Sequence, residues 1–182
     1  MKTIISSLEK KHFPVMLDEV IQSCLPINKN HLIIDCTFGG GGYCKELLKL
    51  PNIKLIALDR DKSAVNRAKI LVKNFPTKFT FHNEKFSNLD KVIKNEHRPD
   101  TIIFDLGLSS FQLQDYTRGF SFKSKERLDM QMGLSESSAE DTINTLDEKS
   151  LKLIIKILGE EQEASRIAKN IVKARSIKKI NT

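Results

Sequence analysis

The chain has 182 residues and a formal net charge of +7, with 40% of its residues hydrophobic and 29% charged; this is enough apolar material for one α/β-sized globular domain with a small appendage, and it argues against a disordered tail. Glu9, Lys10 and Lys11 interrupt the amino terminus before any apolar run is long enough for a signal peptide, and no later stretch approaches the roughly 20 apolar residues of a membrane span, so a cytosolic protein is expected. The three cysteines, Cys24, Cys36 and Cys44, form no C-x-x-C pair, and His12, His31, His82 and His97 are scattered, so neither a disulfide framework nor a metal site is indicated.

Val15 to Leu25 alternates apolar and charged positions at helical spacing until Pro26 closes it. Leu32-Ile33-Ile34 is then an apolar run that stops at Asp35 and enters Gly39 to Gly42, which holds four of the eight glycines in the chain. Helical spacing restarts at Glu46 and runs to Leu50 before Pro51, giving strand, glycine loop, helix. "KLIALD" is a second buried strand ending at Asp59, and Ala64 to Phe75 places Val65, Ala68, Leu71, Val72 and Phe75 on one helical face. "KFTFHNEKF" reads as a third strand with Phe79 and Phe81 on one side, and "DTIIFDLGLSS" as a fourth that again stops at an aspartate, Asp105. Strands alternating with helices of this length predict a parallel sheet with its strand ends facing one way, because a parallel connection needs a crossover element. From Phe111 the periodicity lapses, and helices are expected again at Asp147 to Leu158 and Glu161 to Ile177. In the second of these, Ala164, Ile167, Ala168, Ile171 and Val172 form an apolar face beside Arg166, Lys169 and Lys173. Two regions follow: residues 1–110 as a Rossmann-like domain, and residues 111–182 as a linker with part of a helical domain.

The glycine run fits neither common nucleotide motif. A phosphate loop needs Lys-Ser/Thr directly after its last glycine, but Gly42 is followed by Tyr43 and Cys44. The dinucleotide fingerprint G-x-G-x-x-G finds Cys44 or Lys45 where its third glycine belongs, which weakens a hydride-transfer reading without excluding it. What remains is Asp35 with Gly39 and Gly41 four and six places later, and Asp59 after the second strand, placed to accept both ribose hydroxyls. These describe a site for an adenosine-bearing cofactor with no pyrophosphate to cradle, and S-adenosylmethionine fits; a turn serving only chain reversal needs fewer glycines.

In order and spacing, "HFPVMLDEVI", "IIDCTFGGGGY", "IALDRD", "FDLGLSSFQL", "RGFSF" and "LDMQM" resemble the RsmH (MraW) family of S-adenosylmethionine-dependent methyltransferases, which act on a cytosine N4 in the decoding region of 16S ribosomal RNA. The resemblance runs from about His12 to the end. It implies a class I methyltransferase sheet with a helical insertion, small-subunit ribosomal RNA as partner, and cofactor contacts at Gly41, Gly42, Tyr43, Asp59, Phe86, Asp105 and Gln112. The family usually has His at Tyr43, Gly at Cys36, Pro at Phe111 and Arg at Gln131, and its pattern continues past Thr182 with further strands. A truncated, inactive relative that still binds cofactor or RNA is therefore the alternative reading. An amino-methyltransferase acting on DNA is disfavoured because "DLGLSS" is not the Asp/Asn-Pro-Pro-aromatic motif of such enzymes.

The reaction needs an acceptor that localises the lone pair of a weakly nucleophilic amine. Asp105 is the expected catalytic group, with a turn cap or a cofactor contact as its equally weighted alternatives. Methylation at cytosine C5 would call for a cysteine nucleophile, and none lies near "DLGLSS" in the sequence. Arg118, Phe120 and Phe122 could stack and flank a splayed-out base, and Arg166, Lys169 and Lys173 could grip phosphates, although core packing and a solvated helix face are the commoner explanations.

Overall fold

A computed structural model describes residues 14–25, 29–93 and 98–182. His12, His97 and Pro26, the residue expected to close the first helix, lie outside the described residues. The chain divides into two compact units, Met1–Ser110 and Phe111–Thr182.

The first unit holds a four-stranded sheet in the order β3-β2-β1-β4, with β1 at His31–Asp35, β2 at Ile53–Leu58, β3 at Phe79–His82 and β4 at Thr101–Ile103. Every pairing is parallel, in registers that set Asp35 beside Ala57 on one side and Ile103 on the other. The α/β class and parallel sheet expected from the sequence are therefore present. Consecutive residues of β1 point to opposite faces, and both Ile33 and Ile34 are fully buried. The sheet is thus covered on both sides, as continuous apolar runs in parallel strands require. Ile33, Leu55, Ala57 and Phe79 face one cluster, completed by α1 (Leu17–Ser23), α2 (Gly42–Leu47) and α3 (Lys62–Asn74). Ile34 and Leu58 face a smaller one against Leu89, Val92 and Ile93, at and just beyond α4 (Leu89–Val92). Each fully buried Ile or Leu contributes roughly 1.5–3 kcal/mol, which makes these two layers the main source of stability.

Several elements differ from the sequence expectation: the third strand ends at His82 instead of running on to Phe86, α4 was not expected, and the last helix begins at Ala164 instead of Glu161. The helix expected to begin at Glu46 begins at Gly42, inside the glycine run, because Gly41 caps it in a left-handed conformation (φ 72°) that periodicity does not register. A short helix, α5 (Ser110–Gln114), begins at the last serine of "DLGLSS". A further helix, α6 (Ala139–Thr145), forms where no period was evident, nucleated by a capping box in which Ser138 and Asp141 satisfy each other's backbone N–H groups.

In the second unit, α7 (Glu148–Ile157) packs on α8 (Ala164–Ile177), and Leu151, Ala164 and Ala168 are the buried residues of the two helices. The last residues are tied to α6: Lys179 Nζ lies 2.6 Å from Glu140, and Asn144 exchanges two hydrogen bonds with the Ile180 backbone. Among the described residues, no helix is long and apolar enough to cross a membrane.

Candidate functional site

The carboxyl ends of β1, β2 and β4 deliver Asp35, Asp59 and Asp105 to one side of the sheet, and the glycine loop lies among them. The three carboxylates have different surroundings.

Asp35 is fully buried. The Thr37 N–H donates to one of its oxygens at 3.0 Å and the Cys44 thiol to the other at 3.2 Å. Burial raises its carboxyl to about 6, the charges of Asp59 and Asp105 add to that, and the two hydrogen bonds oppose it. The sequence reading placed Asp35 among the cofactor contacts, but its atoms are enclosed by protein, where it braces the loop from beneath. The Cys44 thiol is pushed well up, first by burial and then by Asp35, so it stays protonated and remains a donor.

Asp59 ties the loop to β2. Its carboxylate accepts the Gly39 N–H at 2.7 Å and the Asp61 N–H at 2.8 Å, while Asn83 donates to its carbonyl at 2.7 Å. Arg67 of α3 donates to the Gly39 carbonyl at 3.0 Å. Burial holds the Asp59 carboxyl above its ordinary value, against the pull of these two N–H donors.

The glycines meet two different demands. Gly41 sits at positive φ, and a Cβ there would lie 2.7 Å from the buried Phe38 ring. At Gly42 a Cβ would come within 2.1 Å of Pro14, so this glycine admits another part of the chain.

Asp105 is exposed. Its N–H donates to Thr37 Oγ1 at 2.7 Å, so Thr37 is bonded to both Asp35 and Asp105. The Tyr43 hydroxyl lies 2.6 Å from the Val15 carbonyl and 3.3 Å from Asp105 Oδ2, and its single proton serves one of them at a time. Burial, and then the Asp105 charge, push the Tyr43 phenol up to about 12, so it acts as a neutral donor at any physiological pH.

Phe86, half exposed, meets Phe104 edge to face with ring centroids 5.5 Å apart. Thr37, Asn83, Arg67 and Phe104 were not singled out from sequence, nor was the bond of Cys44 to Asp35. Phe104 had a usable signal, being an aromatic directly before the strand-ending aspartate, whereas the others are recognisable only by their partners.

The sequence placed no cysteine near "DLGLSS", yet Cys36 donates its N–H to Ile103 at the end of β4, at 2.9 Å. Its thiol is buried and pushed up to about 11 by that burial and by Asp35. A thiol so protonated is a poor nucleophile at neutral pH. Among the described residues no group of His, Cys, Asp and Glu is arranged to hold a metal ion.

The remaining expected residues lie in the second unit or at its start. Gln112 is buried in α5. The Arg118 guanidinium lies 5.3 Å from the Phe120 ring centre and donates to the Gln131 carbonyl, while Phe122 is fully exposed. Arg166, Lys169 and Lys173 are exposed on α8, and Arg166 pairs with Glu163 at 3.2 Å.

Comparison with known proteins matches residues 9–182 to the model of the MraW methylase family. A ribosomal RNA small subunit methyltransferase H from Rickettsia canadensis is 42% identical over 176 residues, covering 96% of this chain and 56% of the relative. The protein of that name from Orientia tsutsugamushi (strain Ikeda) is 40% identical over 171 residues, covering 94% and 54%. The chain thus spans about half the length of the curated relatives it matches. A solved structure described as a ribosomal RNA methylase from Streptococcus thermophilus aligns with a TM-score of 0.39 and 22% identity, over 50% of either chain.

Proposed function

The chain belongs to the MraW methylase family, and from that premise we propose that it binds S-adenosylmethionine and directs methyl transfer to the N4 amine of a cytidine in the 16S RNA of the small ribosomal subunit. The observation that carries this reading is the glycine loop bonded at Gly39 to Asp59 and flanked, through Thr37 and Tyr43, by Asp105.

The donor set suits such a cofactor. Carboxylates at the strand ends favour a ligand bearing positive charge, and no Lys-Ser/Thr pair follows the glycine run to neutralise phosphates. Each Asp59 oxygen accepts one N–H and keeps a lone-pair direction for a ribose hydroxyl. Gly39 leaves the space beside its backbone open, Gly41 and Gly42 let the loop pack on Phe38 and Pro14, and Tyr43 anchors the loop to Val15. The Phe86 and Phe104 rings offer an apolar wall for a base. When bound, the cofactor supplies a sulfonium-activated methyl group. The protein then has to orient the amine, exclude water and accept a proton. Asp105, exposed and held through its own N–H by Thr37, is the acceptor that localises the amine lone pair. Asp35 is assigned a bracing role. Gln112, expected from the resemblance as a cofactor contact, is buried in α5, while Arg118, Phe120, Phe122, Arg166, Lys169 and Lys173 form the expected RNA-facing set.

The test is transfer of labelled methyl from S-adenosylmethionine to unmethylated small ribosomal subunits by the purified chain, followed by nucleoside analysis. Label in N4-methylcytidine is the expected result. Cofactor binding without label, in a folded sample, would favour the inactive relative instead.

A further inference from the structure

Among the described residues, Phe122 is the most exposed large apolar side chain, and it stands on an ordered turn. The Ser124 N–H donates to the Ser121 carbonyl at 2.9 Å, closing a β-turn with Phe122 and Lys123 at its two central positions. Ser121 Oγ accepts the Lys123 N–H at 3.2 Å, and Ser124 Oγ donates to the Tyr116 carbonyl at 2.6 Å. The neighbouring chain is bonded as well, with the Met130 N–H donating to the Arg118 carbonyl at 2.9 Å. Central turn positions favour Gly, Pro, Asn, Asp and Ser, and a bare phenyl ring there does nothing for the fold. Phe120, two residues earlier, is half buried beneath Arg118 and has its partner already.

Charge identifies the occupant. From Arg118 to Arg127 there are four cationic side chains, Arg118, Lys123, Lys125 and Arg127, and one acidic residue, Glu126. Lys123 and Lys125 are both exposed. An aromatic face with cations on its flank is how proteins hold unpaired bases, the ring stacking on the base while the cations follow the phosphates. We propose that Phe122 is a base-stacking residue that takes an unpaired base of single-stranded RNA, with Lys123 and Lys125 contacting the adjacent phosphates. This rests on the proposed RNA substrate and divides the "RGFSF" segment: Phe122 meets the ligand, while Phe120 and Arg118 brace the loop. Turn closure fixes the backbone in advance, so binding orders only the side chain.

The chain contains no tryptophan, so Phe122→Trp introduces a single indole reporter at an exposed position. The probe is a short unstructured oligoribonucleotide, compared with the same strand in a duplex. The free variant is expected to emit as a water-exposed indole and to be quenched by the single strand but not by the duplex. Phe122→Ala should bind the single strand about 5- to 150-fold more weakly, the range for one lost base–aromatic stack, with an unchanged salt dependence because no phosphate contact is removed. Phe122→Trp should retain native affinity. Native affinity in Phe122→Ala with no quenching in Phe122→Trp would overturn the proposal and leave the RNA substrate standing. A buried indole signal before RNA is added would overturn it too, because another segment would then cover the ring. Absence of any RNA binding by the folded native chain would remove both the proposal and the reading beneath it.

Discussion

Replacing Asp35 with Asn tests the account of how the loop is braced, because it changes the charge while nearly keeping the shape. The carboxyl moves from an ordinary 3.8 to about 6 in the folded chain, chiefly through burial. Its folded value therefore lies above its unfolded value, and between the two the native state holds more protons than the unfolded state. Stability from Asp35 is fully present below about pH 4 and is lost as pH rises through about 6. At about 1.4 kcal/mol for each pH unit between the two values, the loss amounts to about 3 kcal/mol. The amide of the Asp35→Asn variant keeps an oxygen for the Thr37 N–H and does not titrate. It exchanges the Cys44 thiol bond for a poorer contact, at a cost of about 1 kcal/mol. Urea unfolding of both chains from about pH 4 to 7.5 should show the variant less stable at the acid end and equal or more stable at the alkaline end, with unchanged m-values. Glu84, Asp100, Glu140, Asp141 and Asp147 are all held below their ordinary values, mainly by hydrogen bonds. Their contribution is lost as pH falls, in both chains alike, so it cancels in the difference. Parallel pH profiles for the two proteins would refute the assignment of a buried, proton-linked Asp35.

Gly41→Ala should destabilise the chain by about 2–4 kcal/mol, combining the strain of a left-handed residue with overpacking against Phe38, less a small gain from a stiffer unfolded chain. Phe38 cannot yield, being buried against Phe79 and Phe81 with ring centroids 6.0 and 5.2 Å away. Gly39→Ala, at φ 52° with no atom nearer than 3.8 Å to the new methyl, is the control for left-handed backbone strain; equal losses in the two variants would discard the Phe38 contact as a cause. Asp59→Ala should weaken S-adenosylmethionine binding measured by calorimetry, because it removes the acceptor for Gly39 and Asp61 together with the proposed ribose contact. Asp105→Ala should lower methyl-transfer turnover more than binding, and equal binding losses in both variants would remove Asp105 from the catalytic role.

The legible part of this molecule was the part written in periodicity. Ile33, Ile34, Leu55 and Leu58 lie in uninterrupted apolar runs because both faces of a parallel sheet are covered, and each run stopped at or just before the residue where its strand ends. The carboxylates at those ends were legible for the same reason. Their differences were not, since Asp35, Asp59 and Asp105 look alike in the sequence, and the bonds that set Asp59 and Asp105 apart reach partners many residues away. Thr37 bonds Asp105 across 68 positions, and Gly39 bonds Asp59 across 20. The helix at Ala139 escaped for another reason: its start is fixed by the Ser138–Asp141 capping box, a signal of four residues with no period.

That division among the carboxylates also accounts for the concentration of glycine. A loop that must return a hydrogen bond to Asp59, pass over Phe38 and admit Pro14 within a few residues has no room for side chains at Gly41 or Gly42. The same compression leaves Asp35 beneath the loop and Asp105 beside it. Burial raises the Asp35 carboxyl to about 6, whereas Asp105 stays exposed. Tyr43 joins the two sets of constraints. Its backbone continues the glycine loop into α2, and its hydroxyl spans Val15 and Asp105. A tyrosine there keeps its proton up to about pH 12, so it orients Asp105 without competing for the proton that Asp105 is proposed to take.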